Sequence, residues 1–185
     1  MANFGEGFDS ALAAAKTGEE WAWAALYRHL SGPVTGYLRG HGALEPEDLA
    51  SETFLQVAKG IHTFEGDEAA FRSWVFVIAH RRLIDARRKA FRRPAVAESS
   101  TEDVGPDRLQ GGNVEDDAMA RFDSEGIRTA LALLTRDQRD VILLRVIGGQ
   151  SVSETAKILG KSEGAVRVLQ HRAIDALRRD AGKTA

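Results

Sequence analysis

The sequence predicts an all-α protein of two small helical domains, residues 1–94 and 121–185, joined by a flexible acidic linker, 95–120. Three observations carry this. Apolar residues recur at helical spacing through both halves, and no turn-bounded alternation of period two marks a half-buried strand. The stretch 95–112 mixes Ser, Thr, Gly, Pro and acids with isolated apolar residues and no period, which is linker composition. The chain has 185 residues, 43% of them hydrophobic, enough for one or two compact domains and too few for a large multidomain enzyme.

In the first half, Phe8, Leu12 and Ala15 share one helical face, followed by Trp23, Leu26, Tyr27 and Leu30 and then Val34, Tyr37 and Leu38. Pro46 in a first turn, with Glu47 and Asp48 at the positive helix end, starts a helix with the apolar face Leu49, Thr53, Phe54 and Val57; Gly60 closes it. A further helix begins near Glu68, runs through Phe71, Trp74, Val75, Ile78 and Ala79, and stops before Pro94. If flexible, the 26 residues 95–120 span a root-mean-square distance of roughly 25–30 Å.

The second half carries the clearest punctuation. Thr135 followed by Gln138 is a capping box, and Gly148 and Gly149 end its helix. Ser151 followed by Glu154 is a second capping box, Gly160 stops a helix of about two turns, and Ser162 caps a longer helix reaching about Arg179. A short helix, a glycine turn and a longer helix make a helix-turn-helix, with Val152, Ala156, Leu159, Val166 and Leu169 where the two helices pack.

Charge is balanced overall, 25 Lys and Arg against 27 Asp and Glu, yet arranged in blocks. Residues 43–70 hold seven acids and one base, 71–94 eight bases and one acid, and 95–120 seven acids and one base. Separate faces for separate partners follow, and the basic block is dense enough for phosphate.

Other classes are excluded by what the sequence lacks. No apolar run approaches a membrane span, and the start of the chain lacks the basic-then-apolar order of a signal peptide, so membrane insertion is not expected and the expected location is cytoplasmic. With no cysteine, and with five histidines never at i, i+4, no metal or other cofactor is expected. No nucleophile elbow, phosphate loop or metal spacing marks an enzyme.

In a helix-turn-helix the second helix enters the major groove N-terminus first. That puts Ser162, Glu163, Gly164, Arg167, Val168 and His171 at base edges, with Lys161 and Arg172 on flanking phosphates. On the basic helix, Arg72, His80, Arg81, Arg82, Arg87 and Arg88 could follow a nucleic-acid backbone; Trp74 and Phe71 read as core, and Phe76 as core or a base-stacking ring. Asp85 reads as an intrahelical ion-pair partner of the surrounding cations. Asp48 and Glu52, with Gln56 beyond, form a like-charge row that suits a cationic partner or a solvated face.

Together these residues resemble the sigma-70 initiation factors of bacterial RNA polymerase, specifically the extracytoplasmic-function group that keeps only regions 2 and 4. Glu47, Asp48, Leu49, Glu52 and Phe54 are similar to the polymerase-binding signature, and the segment from Phe71 to Arg88 to the helix that recognises and opens the −10 element. Leu134, Thr135, Arg139, Ser151, Glu154, Gly160, Ser162, Val166, Arg167, His171 and Arg172 are similar to the region 4 pattern that binds the −35 element. The resemblance implies a non-catalytic subunit that carries core RNA polymerase to promoter DNA. It also implies that Glu47, Asp48, Leu49, Glu52, Phe54 and Gln56 meet the clamp coiled coil, that residues 141–146 meet the flap, and that an anti-sigma factor restrains the chain. The alternative is an autonomous helix-turn-helix regulator binding operators as a dimer.

Overall fold

The computed structural model describes Phe4 and residues 7–92 and 125–184. The predicted linker and the start of the second predicted domain, 121–124, lie outside the described residues. Every regular element among the described residues is helical: α1 (Phe8–Lys16), α2 (Glu20–Gly40), α3 (Pro46–Gly60), a 3₁₀ turn (Ile61–Thr63), α4 (Glu68–Arg92), α5 (Glu125–Ala132), α6 (Arg136–Val146), α7 (Val152–Leu159) and α8 (Glu163–Thr184).

Residues α1–α4 pack around one apolar centre. Phe8, Leu12, Leu26, Leu30, Val34, Phe54, Val57, Phe71 and Val75 recur every three or four positions on their helices, so each helix turns one stripe inward. The two apolar sets predicted along 20–40 form one helix, α2, with Pro33 inside it; Trp23 and Tyr27 lie at the rim rather than in the core. Gly42, at φ +68°, supplies the left-handed residue after α2, and Ala43 N–H donates to Leu38 O, 3.2 Å, closing the last turn. Pro46 is in the first turn of α3, where its missing N–H costs nothing. Asp67 Oδ1 accepts from Ala70 N–H, 2.8 Å, and caps α4. Gly60 admits the Trp74 ring against the end of α3: a Cβ there would stand 2.9 Å from Trp74 Cζ2. Trp74 stacks on Phe64 at 5.1 Å between centroids, a packing role as expected.

Both predicted capping boxes are formed, by Thr135 with Gln138 and by Ser151 with Glu154, each pairing side chain and backbone reciprocally. Gly160, at φ +64°, ends α7, and Ser162 Oγ accepts from Ala165 N–H, 3.2 Å, at the start of α8. Val141, Ala156 and Val166 form a small buried cluster with Val152, Leu159 and Leu169 around it, the predicted contact plus one residue from α6. The sequence reading has no counterpart to α5. Arg139 ties that helix to α6 by donating from Nε to Leu131 O, 2.9 Å.

The two helical units share an apolar surface. Leu143 and Leu144 of α6 belong to the same buried cluster as Tyr37, Leu38 and Phe76. Gly36 and Gly40, one turn apart on α2, face Ile147 and Leu143: a Cβ on Gly36 would lie 3.5 Å from Ile147 Cγ2, and one on Gly40 2.8 Å from Leu143 Cδ2. The glycines therefore let the second unit settle against α2.

Candidate nucleic-acid interface

Three surfaces carry the residues singled out from the sequence. On α3, Glu47, Asp48, Glu52 and Gln56 are exposed along one side and Leu49 is half-buried beneath them. Glu47 is ion-paired with Arg39, and Glu52 lies 3.7 Å from Arg82. Phe54 is different: at 4% exposure it is core, edge-on to Tyr27 at 4.7 Å, so it holds α3 in place rather than presenting a surface.

On α4 the six basic positions divide into two sets. Arg81 and Arg88 are exposed, Arg88 3.7 Å from Asp85, the ion pair expected for that acid, and Arg82 is partly exposed beside Glu52. The others are engaged. Arg72 Nη2 donates to Glu68 Oε1 at 2.5 Å, and the same carboxylate oxygen accepts from Phe4 N–H at 2.9 Å and lies 3.4 Å from His29 Nε2. His80 Nδ1 is hydrogen-bonded to Tyr37 Oη at 2.7 Å. Arg87 Nη2 donates to His41 O, 3.0 Å. Phe76, open to a stacking role on sequence grounds, is 0% exposed; Tyr37 lies edge-on to it at 5.6 Å and Gly148 closes over it.

On α8, Glu163, Gly164, Arg167, Val168, His171 and Arg172 share the outer face, with Ser162 exposed at its start and Val168 50% exposed. Burial of Val166 and Ala173 on the opposite side fixes that orientation. The polar groups are held by neighbours: Arg167 Nη2 donates to Glu163 Oε2 at 2.9 Å, His171 Nε2 is 3.3 Å from Asp175 Oδ2, and Lys161 Nζ donates to Asp137 Oδ2 at 2.9 Å.

A fourth cluster was not singled out from the sequence. Where α2 and α4 meet α6, His41 and Asp140 are 5% and 4% exposed, with Nε2 3.3 Å from Oδ1. His41 is neutral there: burial, then Arg87, His80, Arg139 and Arg136, push its pKa down to about 2. The contact is thus an imidazole beside a carboxyl group, not an ion pair. Burial raises the Asp140 pKa, opposed by Arg87 and Arg136, and burial raises the Tyr37 hydroxyl well above its usual value. Burial, then Arg136 and Arg87, lower His80 to about 4. Desolvation and Arg136 also lower Arg87.

An exposed acidic helix in one unit and a helix-turn-helix in the other define a two-domain helical DNA-binding protein. Comparison with known proteins gives its family. Residues 26–93 match the model for Sigma-70 region 2 and 124–177 that for Sigma-70, region 4. The chain is 36% identical over 139 residues to the ECF RNA polymerase sigma factor SigX of Bacillus subtilis, covering 73% of this chain and 70% of that protein. It is 30% identical over 185 residues to SigD of Mycobacterium tuberculosis, covering 94% and 84%. With BldN of Streptomyces coelicolor it shares 32% over 167 residues, 89% of this chain but only 62% of that protein's length. The structure of CnrH in complex with the cytosolic domain of CnrY has the same fold, with a TM-score of 0.67 at 23% identity over 97% of this chain and all of that one. The chain belongs to the ECF sigma factors of the sigma-70 family, and its role lies in transcription initiation.

Proposed function

We propose that the chain binds core RNA polymerase through α3 and directs it to promoters by reading the −10 element with α4 and the −35 element with α7 and α8, without catalysis of its own. The observation that carries this is the pairing, in one chain, of an exposed Asp48, Glu52 and Gln56 row with a helix-turn-helix whose outer face holds Arg167, Val168, His171 and Arg172. A row of carboxylates on a rigid helix complements a basic partner helix such as the polymerase clamp, by steering and by registry. The α8 face suits the major groove, where Arg167 has the fork geometry for guanine. The division of the chain at 1–94, 95–120 and 121–185 belongs to this proposal, as does α6 as the contact for the flap. Among the described residues no helix is long and apolar enough to cross a membrane; we place the protein in the cytoplasm with the polymerase, restrained by an anti-sigma factor.

The deciding experiment is assembly of the purified chain with core polymerase, followed by transcription of sheared genomic DNA. New discrete transcripts that depend on the chain are expected. Specific duplex binding by the chain alone, with no affinity for polymerase, would replace this reading with a dimeric operator-binding regulator.

A further inference from the structure

The outer face of α8 is not uniformly polar. Val166 and Ala173 point into the core, and at about 100° per residue the positions turned directly away from them are Gly164, Val168, His171 and Asp175. Arg167 lies on one flank of that line, paired with Glu163, and Arg172 lies on the other. Val168 is therefore an apolar side chain at the centre of a face otherwise built for polar contact. At 50% exposure it is, among the described residues of α7 and α8, the one large hydrophobic that stands out in water. One turn before it comes Gly164, a poor helix former that the fold itself does not require. Its φ is not positive, and a Cβ there would meet only Ser162 Oγ, at 4.0 Å. The space beside Val168 is open to whatever docks from outside.

In the major groove thymine alone presents a methyl group, while every other group that marks a base there is a hydrogen-bond donor or acceptor. The χ1 of valine is stiff, so its two methyls are held in place rather than having to be ordered on contact. Against thymine, both apolar surfaces leave water together. Against a G·C pair the same side chain would cover a donor or acceptor and offer it no partner, which sets the discrimination. A side chain at position 164 would hold the helix off the groove floor, and its absence lets a residue as short as valine reach.

We propose that Val168 reads the C5-methyl of a thymine in the −35 element, with Gly164 providing the close approach that this contact needs. The inference rests on the reading of α8 as the −35 helix. Holoenzyme made from the full chain and core polymerase, on promoters obtained from its own transcripts, provides the test. Each −35 thymine is replaced in turn by deoxyuridine, which removes the methyl and leaves pairing and O4 intact. One replacement should weaken binding by about three- to fivefold, the worth of one buried methyl. Val168→Ala should lose at least about threefold on the thymine duplex and no longer distinguish thymine from deoxyuridine at that position. Gly164→Leu should weaken binding to the same duplex and also erase the distinction, with helical circular dichroism retained in both variants. The proposal is overturned if the −35 element has no thymine, if no deoxyuridine changes binding, or if the change persists undiminished in Val168→Ala. In each of those cases α8 keeps its −35 role provided that Arg167→Ala still weakens binding to that element. If neither Arg167→Ala nor Val168→Ala affects binding, the reading of α8 fails, and the thymine contact with it.

Discussion

Arg167 stands on the outer face of α8 with its guanidinium donated to Glu163. To read a base it must exchange that carboxylate for a guanine edge, so Arg167→Ala should cost about 1–3 kcal/mol on the preferred −35 sequence and much less on others. Competition binding against duplexes varied one base at a time checks this; a uniform loss would make Arg167 a phosphate contact. His41 belongs to a different kind of residue, one defined by what covers it. Its surroundings are Tyr37 from α2, His80 and Arg87 from α4, and Arg136, Arg139 and Asp140 from α6. Burial under α6, with Arg139 and Arg136 beside it, holds the pKa below that of a solvated imidazole, so the packing of α6 on α2 and α4 favours the neutral ring. That contribution is full above pH 6.5 and is lost as pH falls below it. His80 acts in the same direction, and Asp140, with its raised pKa, in the opposite one. Interdomain energy transfer between labels on α2 and α8 should fall between pH 7.5 and 5, and should stay flat in His41→Gln over the part due to this ring. Nothing in the local sequence around His41 or Asp140 marks them, because their burial arises from a contact between residues far apart in the chain.

At the scale of single helices, local chemistry was the most legible. The Thr135 and Ser151 boxes and the Gly160 stop are satisfied within a few residues, so the sequence pattern is almost the structure itself. Ser151→Ala should cost about 1 kcal/mol of stability and lower the melting temperature of the full chain, while Ser151→Asp should retain most of it; calorimetry distinguishes the two. Helix α5 escaped because its eight residues adjoin linker-like sequence and include Gly126 and Thr129, a signal too short to stand out by periodicity. The α3 row was legible as a charged face, yet the depth of Phe54 was not: a motif position says that a residue matters, not whether it touches a partner or supports the helix that does. Asp48→Lys with Glu52→Lys should weaken polymerase assembly by at least about tenfold and leave the helical circular dichroism unchanged. Unaltered assembly would remove α3 from the interface.

Over the whole molecule, the division into two helical units and their order were readable from composition and capping, whereas their mutual packing was not. The seat at Gly36 and Gly40 is a pair of absences, and an absent side chain has no hydropathy to pattern. The alternating charge blocks had suggested separate partners for each face. The structure adds that the first acidic block and the basic block answer one another, Arg82 with Glu52 and Arg72 with Glu68, and that other cations have carboxylates of their own: Arg88 has Asp85, Lys161 has Asp137 and Arg167 has Glu163. Each carboxylate occupies a cation that a phosphate would otherwise claim. A protein wired this way begins every encounter with DNA by surrendering an internal counterion, so its affinity should fall with salt less steeply than its cation count implies. In a cell crowded with irrelevant duplex, such self-neutralised side chains would spend little time adhering to it, and the free pool would remain available for capture by polymerase.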